Sequence, residues 1–209
     1  MPLTRVSIAL SQGLLELPDG SGLFNAPGDV DLGITVQAST SYFPDHARLT
    51  ARGIAATATP DGDHPACLVQ CHRARLVSFD LLRQAVETTA IGGKIAINGA
   101  KTDGIEAIAK QVRSRFDDAE GVSKAHGKLF WIDAAATDFF ADWAAGPVLT
   151  NGGFWTAPGV FSADGIDPAS RLLAECLPEK LGRRVADLGA GWGYLAAQIL
   201  TRAGVEHLH

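Results

Sequence analysis

The stretch richest in chemistry is Val185-Ala-Asp-Leu-Gly-Ala-Gly-Trp-Gly-Tyr-Leu195, where an apolar run ends on Asp187 and turns through Gly189, Gly191 and Gly193. Glycine is needed where the backbone must adopt positive φ, or where a ligand must approach without a Cβ in the way. Three glycines between a strand-like run and a helix-like run point to a ligand loop; the plain alternative is a tight turn that holds nothing. A dinucleotide loop spaces its glycines as G-x-G-x-x-G. Counted from Gly189, that pattern needs glycine where the chain has Tyr194, which disfavours a nucleotide-dependent oxidoreductase. A phosphate-cradling P-loop needs Gly-Lys-Ser or Gly-Lys-Thr at the helix start, and the chain has Gly193-Tyr194-Leu195. Both phosphate patterns fail. Asp-x-Gly-x-Gly-x-Gly over residues 187–193 is what remains.

That pattern resembles the first motif of the class I S-adenosylmethionine-dependent methyltransferases. The resemblance implies a glycine turn passing under the methionine moiety and ribose of S-adenosylmethionine, with Asp187 helping to position the aminoacyl group. The chemistry agrees: the ligand carries an ammonium for Asp187 and a carboxylate for exposed amides at a helix start. Upstream, Thr156-Ala-Pro-Gly-Val-Phe-Ser162, then residues 164–173, then a short spacer to Asp187-Leu-Gly-Ala-Gly191 resemble the entry to the methyltransferase small domain of bacterial ribosomal RNA guanine-N2 methyltransferases. In the first half, Gly93-Lys-Ile-Ala-Ile-Asn-Gly-Ala-Lys-Thr-Asp-Gly-Ile105 resembles that family's Gly-Glu-Asn-Arg-Ser-Gly-Ile-like strand and turn. The chain departs there, with Asn98-Gly-Ala-Lys101 in place of the acidic and arginine positions.

The resemblance implies an α/β, Rossmann-like methyltransferase fold in three parts. A degenerate methyltransferase-like domain without a cofactor loop is expected over residues 1–145, an interdomain linker over 146–165, and the first part of the S-adenosylmethionine-binding domain over 166–209. Cofactor contacts are expected from Asp187, Gly189, Ala190, Gly191 and Gly193, with Phe161 near the cofactor mouth. The implied reaction is methyl transfer to the exocyclic N2 amine of a guanine in ribosomal RNA or the small ribosomal subunit. Such an in-line displacement works mainly by positioning amine and sulfonium, while nearby carbonyl oxygens accept the amine protons. The family's second acidic motif, which holds the ribose hydroxyls, is expected after Glu206-His-Leu-His209, and its Asn-Pro-Pro-aromatic motif occurs nowhere in the 209 residues. The sequence is therefore expected to end inside its second domain, and no catalytic residue is named. The competing class is a non-catalytic RNA- or ribosome-binding module, since the degenerate domain and linker make up most of the chain.

The elements that must position this loop are legible from periodicity. Strands are expected over residues 34–37, 67–71, 94–98 and 128–132, and helices over 45–58, 79–89 and 104–116. The apolar positions 105, 108, 109 and 112 have the helical spacing. Strands separated by helices of this length signal a parallel sheet with crossover helices. Residues 146–166 are dense in Gly and Pro and lack either period. Asp167 then caps a helix opening on Pro168, a strand runs over 183–188, and a helix over 194–202 ends at Gly204.

Other candidates point to packing. In Cys67-x3-Cys71-His72, Cys67, Val69 and Cys71 alternate onto one strand face, and so few ligands do not make a structural zinc site; buried, reduced thiols are expected. Trp131 and Trp143 are expected to pack. Phe154, Trp155 and Phe161 divide evenly between packing and the cofactor mouth, and His46, His64 and His126 are expected on surface or loops.

Composition bounds the rest. With 46% hydrophobic and 20% charged residues the chain is expected to be globular. Its apolar runs are broken long before the roughly 18 residues of a membrane span. Residues 1–17 lack the continuous apolar core of a secretory signal, so a cytoplasmic location is expected. The net charge of −5 divides as 13 basic and 17 acidic residues up to position 150, then 5 basic and 6 acidic. Neither part has the basic surplus of a protein that grips nucleic acid through many phosphates.

Overall fold

A computed structural model of the chain describes residues 3–116, 119–135 and 140–209. Two compact units divide it, Met1–Ala145 and Gly146–His209. The first opens with α1 (Thr4–Ser11), β1 (Ser21–Phe24), β2 (Val36–Ser39), α2 (Phe43–Ala51) and β3 (Ala56–Thr57). It continues with β4 (Cys67–Gln70), α3 (Arg75–Thr88), β5 (Lys94–Ala100), α4 (Ile105–Arg113), β6 (Glu120–Lys124) and β7 (Gly127–Asp133). Seven strands form one sheet in the order β3-β2-β1-β4-β5-β7-β6.

The expectation of a wholly parallel sheet is corrected. Strands β3, β2, β1, β4 and β5 are parallel, but β7 pairs antiparallel with both β5 and β6. The reason is the connection: β6 reaches β7 through Ala125 and His126, both at positive φ, a two-residue hairpin that can join only antiparallel strands. The inner strand β1 escaped the sequence pattern because Ser21-Gly-Leu-Phe24 is short and carries a glycine. Its Gly22 faces the His64 ring and the Cys67 thiol so closely that a Cβ would collide with both.

The remaining elements shift mainly at their ends. The second helix starts at Phe43, not at Asp45, because Pro44 in the first turn needs no amide partner there. It stops at Ala51, which frees 56–57 to pair with β2. The third begins at Arg75, four residues before the apolar stripe expected from Phe79.

Alternation along the strands builds two cores, as a sheet buried on both faces requires. On one face Phe24, Val69, Ile97 and Phe130 pack under Leu82 of α3 and Ile108 of α4. On the other Leu23, Leu68, Ala96 and Leu129 pack under Val6 of α1 and Leu49 of α2. Trp131 and Trp143 pack as expected. Trp143 stacks on Phe140 at 4.0 Å and on Phe79 at 4.5 Å, and the Arg115 guanidinium lies 4.6 Å from its ring centroid.

Cys67 and Cys71 are buried and Cys176 is exposed. Burial pushes the Cys67 thiol up to about 11, against smaller opposing hydrogen bonds from Thr89 and Thr88. Burial first, and then the nearby Asp103 charge, pushes Cys71 up to about 12. Because the folded values lie above the unfolded one, the stability these thiols contribute is complete below about pH 8.5. It is lost as pH rises through the folded values. Denaturant midpoints are therefore expected to fall between pH 9 and 11, and Cys67→Ala to flatten that fall. At pH 8 a disulfide reagent is expected to label Cys176 alone until the chain is unfolded.

In open α/β sheets a ligand crevice forms at the carboxyl ends of the strands where the strand order reverses, here between β1 and β4. Protein groups fill that place. Asn25, itself at positive φ, donates to the Gln70 carbonyl at 3.0 Å. Gln70 Oε1 accepts from Asn98 Nδ2 at 2.6 Å, and Asn98 Oδ1 accepts from Arg5 Nε at 2.9 Å. The buried Arg5 also donates to the carbonyls of Lys124 and Ala125, which anchors α1 across the sheet.

The second unit contains β8 (Val148–Leu149), β9 (Trp155–Thr156), α5 (Pro168–Cys176), β10 (Arg184–Val185), α6 (Tyr194–Leu200) and β11 (His207–Leu208). Strands β8 and β9 pair antiparallel, and β10 and β11 pair parallel. Asp167 caps α5 through a 2.8 Å bond from the Ser170 amide, and α5 and α6 bury Ala174 and Ile199. No helix among the described residues is long and apolar enough to cross a membrane.

Candidate cofactor site

The glycine loop begins where β10 ends. The sequence suggests a strand over 183–188, but only Arg184 and Val185 form ladder pairs, with His207 and Leu208. Backbone pairing runs slightly further: the Asp187 amide donates to the His209 carbonyl at 2.8 Å, and the His209 amide to Val185 at 3.0 Å. This places Asp187 at the carboxyl end of β10, just before the turn. Its Oδ2 is buried and has no hydrogen-bond partner among the described residues.

From Leu188 the chain turns through Gly189, Gly191 and Gly193 at φ of 81°, 58° and 93°. All three are left-handed, a conformation that costs a side-chain-bearing residue about 1–2 kcal/mol. The glycines answer to this backbone geometry rather than to crowding. A Cβ at Gly189 or Gly193 would meet nothing within 4 Å, and at Gly191 only the Gly189 carbonyl, at 3.9 Å. The Gly193 amide donates to Ala190 at 2.9 Å, and the Gly193 carbonyl starts α6 by accepting from Ala197. Among the described residues the amides of Gly189, Ala190, Gly191 and Trp192 have no partner. Four free donors and an orphaned carboxylate oxygen thus share one turn.

A depression of about 70 Å³ lies against this turn. Phe161, Gly189, Ala190 and Gly191, all expected from the sequence, line it together, while Asp187 and Gly193 belong to the loop but not to that lining. The sequence suggests Trp192 only as a residue that could stack on a base and gives Tyr194 no role, yet both also line it. The Trp192 indole donates to the Phe161 carbonyl at 3.0 Å, and so ties the Pro-Gly-Val-Phe-Ser segment to the glycine loop. Phe154 packs against Trp192 at 5.0 Å and against Tyr194 at 5.9 Å, while Trp155 is exposed. An aromatic at each of the two positions around Gly193 was the available signal, since alternate residues entering a helix can both reach back over the preceding turn.

Among the histidines, one expectation is corrected. His64 is not a surface residue but 2% exposed, clamped by its backbone between Thr88 and Ala90. A polar loop hid it, since residues 59–65 carry Pro, Asp and Gly and no apolar period.

With this geometry in place, the comparisons with known proteins are specific. Residues 151–209 match the family described as methyltransferase small domain. The ribosomal RNA small subunit methyltransferase C of Ectopseudomonas mendocina is 29% identical over 95% of this chain and 63% of its own length. The protein of the same name from Hahella chejuensis is 31% identical over 50% of this chain and 33% of its own length. Among solved structures, the T. thermophilus 16S rRNA N2 methyltransferase, in complex with AdoMet and guanosine, superimposes with a TM-score of 0.73 at 24% identity. That match covers 99% of this chain and 62% of the other. The chain thus spans between a third and two thirds of the length of these relatives. The likeness bears out the α/β, Rossmann-like methyltransferase fold and the resemblance to the bacterial ribosomal RNA methyltransferase family.

Proposed function

We propose that this chain, whose residues 151–209 match the methyltransferase small domain, carries the glycine-loop part of an S-adenosylmethionine site in a cytoplasmic methyltransferase acting on the N2 amine of a guanine in ribosomal RNA. In this reading residues 1–145 are a degenerate methyltransferase-like domain, 146–165 a linker, and 166–209 the start of the cofactor-binding domain. The observation that carries it is the turn itself: three left-handed glycines, four unpartnered amides and the orphaned Asp187 oxygen.

These groups fit the cofactor. Asp187 Oδ2 would accept from the ammonium of the aminoacyl group, and the free amides of the turn would donate to its carboxylate. Charge-assisted hydrogen bonds of this kind are about twice as strong as neutral ones. Phe161 would close the apolar side of the depression and limit water there. When bound, the cofactor supplies a methyl group activated by the sulfonium. This chain's residues hold the donor end in place, so their effect on rate is through orientation. The filled strand ends of the first unit, bridged by Asn25, Gln70 and Asn98, are in keeping with its role as the degenerate domain.

The test is a titration of the ¹⁵N-labelled chain with S-adenosylmethionine, followed by nuclear magnetic resonance. Saturable shifts are expected at the amides of Gly189, Ala190 and Gly191 and at the Trp192 indole, with the first unit silent. Such a titration reads even a millimolar site, worth about 4 kcal/mol. Shifts confined to the first unit would reject the proposed location, and none at all would favour the non-catalytic RNA- or ribosome-binding module.

A further inference from the structure

Strands β2, β1, β4 and β5 are parallel neighbours, so the segments leaving their carboxyl ends emerge along one edge of the sheet. The register fixes where. Phe24 of β1 pairs with Ser39 of β2 and with Val69 of β4, and Gln70 pairs with Asn98 of β5. Tyr42, Arg73 and Lys101 come three residues after Ser39, Gln70 and Asn98 respectively. They are therefore distributed over three strand spacings, about 14 Å.

At the start of α2, Tyr42 and Phe43 are 60% and 77% exposed, and Leu49 is the residue that the helix buries. Aromatic rings left in water contribute none of the burial that holds a fold together. Arg73, Arg75 and Lys101 are exposed as well, and no carboxylate among the described residues pairs with any of them. Arg73 and Arg75 flank Ala74, the residue before α3, whose first turn has no acid; cations there oppose the positive end of the helix dipole. Nearby acids do not cancel this charge. Asp45 pairs with Arg48 and Glu106 with Lys128, and Asp103 lies in the field of Arg5. Asp29 and Asp31 follow Gly28, which lies against Arg48 in the second turn of α2, and so have left the edge. Exposed rings beside free cations thus break the local rules of stability without a compensating contact, as functional surfaces do.

We infer that this edge binds single-stranded RNA, with bases stacked on Tyr42 and Phe43 and phosphates held by Arg73, Arg75 and Lys101. Every base offers a face to an aromatic ring, and the backbone beside it carries the charge that a basic surface tracks. A duplex hides those faces in its stack, so the rings select an unpaired strand. Three cations grip few phosphates, which agrees with a chain of net charge −5. The choice of RNA rests on the function proposed above. The surface itself uses none of residues 146–209, and its test contains no S-adenosylmethionine, so either reading can fail alone.

The whole 209-residue chain is titrated, by fluorescence anisotropy, into a labelled single-stranded RNA decanucleotide of mixed sequence and separately into the same strand paired with its complement. The single strand is expected to bind more tightly, with log K falling against log salt at a slope of about −2, or about 0.7 for each of three phosphates. Phe43→Ala is expected to weaken binding about tenfold, or 1.4 kcal/mol, and Phe43→Tyr to keep it where Phe43→Leu does not. Arg73→Gln should weaken binding and flatten the slope by about 0.7. Arg113→Gln, at the far end of α4, should change neither. No variant should lower the thermal midpoint, since each replaced group is exposed. A duplex bound as tightly as the single strand, Phe43→Ala or Phe43→Leu binding like the parent chain, or equal losses in Arg73→Gln and Arg113→Gln would each overturn the inference. So would a single strand that does not bind, or a fall in thermal midpoint that tracks the loss of binding.

Discussion

Gly127→Ala is expected to cost the first unit about 3 kcal/mol or more, the upper range for forcing extra atoms into a packed interior. Gly127 opens β7 and pairs with Ala100 of β5 on one side and Lys124 of β6 on the other. A Cβ placed there would press on the Gly99 carbonyl and on the Arg5 guanidinium, well inside contact distance. Neither can yield cheaply, because Gly99 lies within β5 and Arg5 is held by Asn98 and two carbonyls. Arg5→Ala alone is expected to cost about 3 kcal/mol, since it removes a charged donor from buried acceptors. The double variant should cost clearly less than the sum, because each change breaks the same anchor. Urea midpoints of the four chains measure this, and strict additivity would show that the glycine and the arginine act separately.

Gly191→Val is expected to abolish S-adenosylmethionine binding. At φ of 58° a β-branched residue is strained, and its side chain projects into the open space beside the free amides. Two causes would give the same loss, a blocked ligand or a melted turn, and Ile199 separates them. It is buried by packing of α5 on α6, so its methyl resonances report whether the unit holds its shape. Lost titration shifts with Ile199 unchanged support a ligand loop. Unchanged binding would show that the loop does not hold the cofactor, and loss of the Ile199 signals would reduce the effect to backbone strain.

Legibility was greatest where local chemistry decides the conformation. The Asp167–Pro168 helix start appeared as expected because a capping carboxylate and a first-turn proline act within one turn. The stripe at Ile105, Ile108, Ala109 and Val112 did so because one face of one helix suffices to define it. The glycine loop was readable for the same reason, since three glycines in seven residues have few uses other than left-handed turns.

What depends on distant partners was not readable. Strand β1 has too few apolar residues to announce itself, and it becomes an inner strand of the sheet because β2 and β4 both pair with it. The direction of β7 was set by a two-residue hairpin whose Ala125 and His126 take positive φ without glycine, so no turn signal was present. His64 looked like loop surface until the connection from β3 to β4 buried it against the Phe24 ring.

By itself, then, the sequence determined the alternating elements, the left-handed glycine turn and the family they resemble, because each is a matter of residues close along the chain. Only the tertiary structure decided that Phe161 and Trp192 meet through a hydrogen bond 31 residues apart, that Asn25, Gln70, Asn98 and Arg5 join in one chain of hydrogen bonds, and that His64 is buried. Those are contacts between segments far apart in sequence, and burial, which sets the energy of such contacts, exists only once the segments have come together.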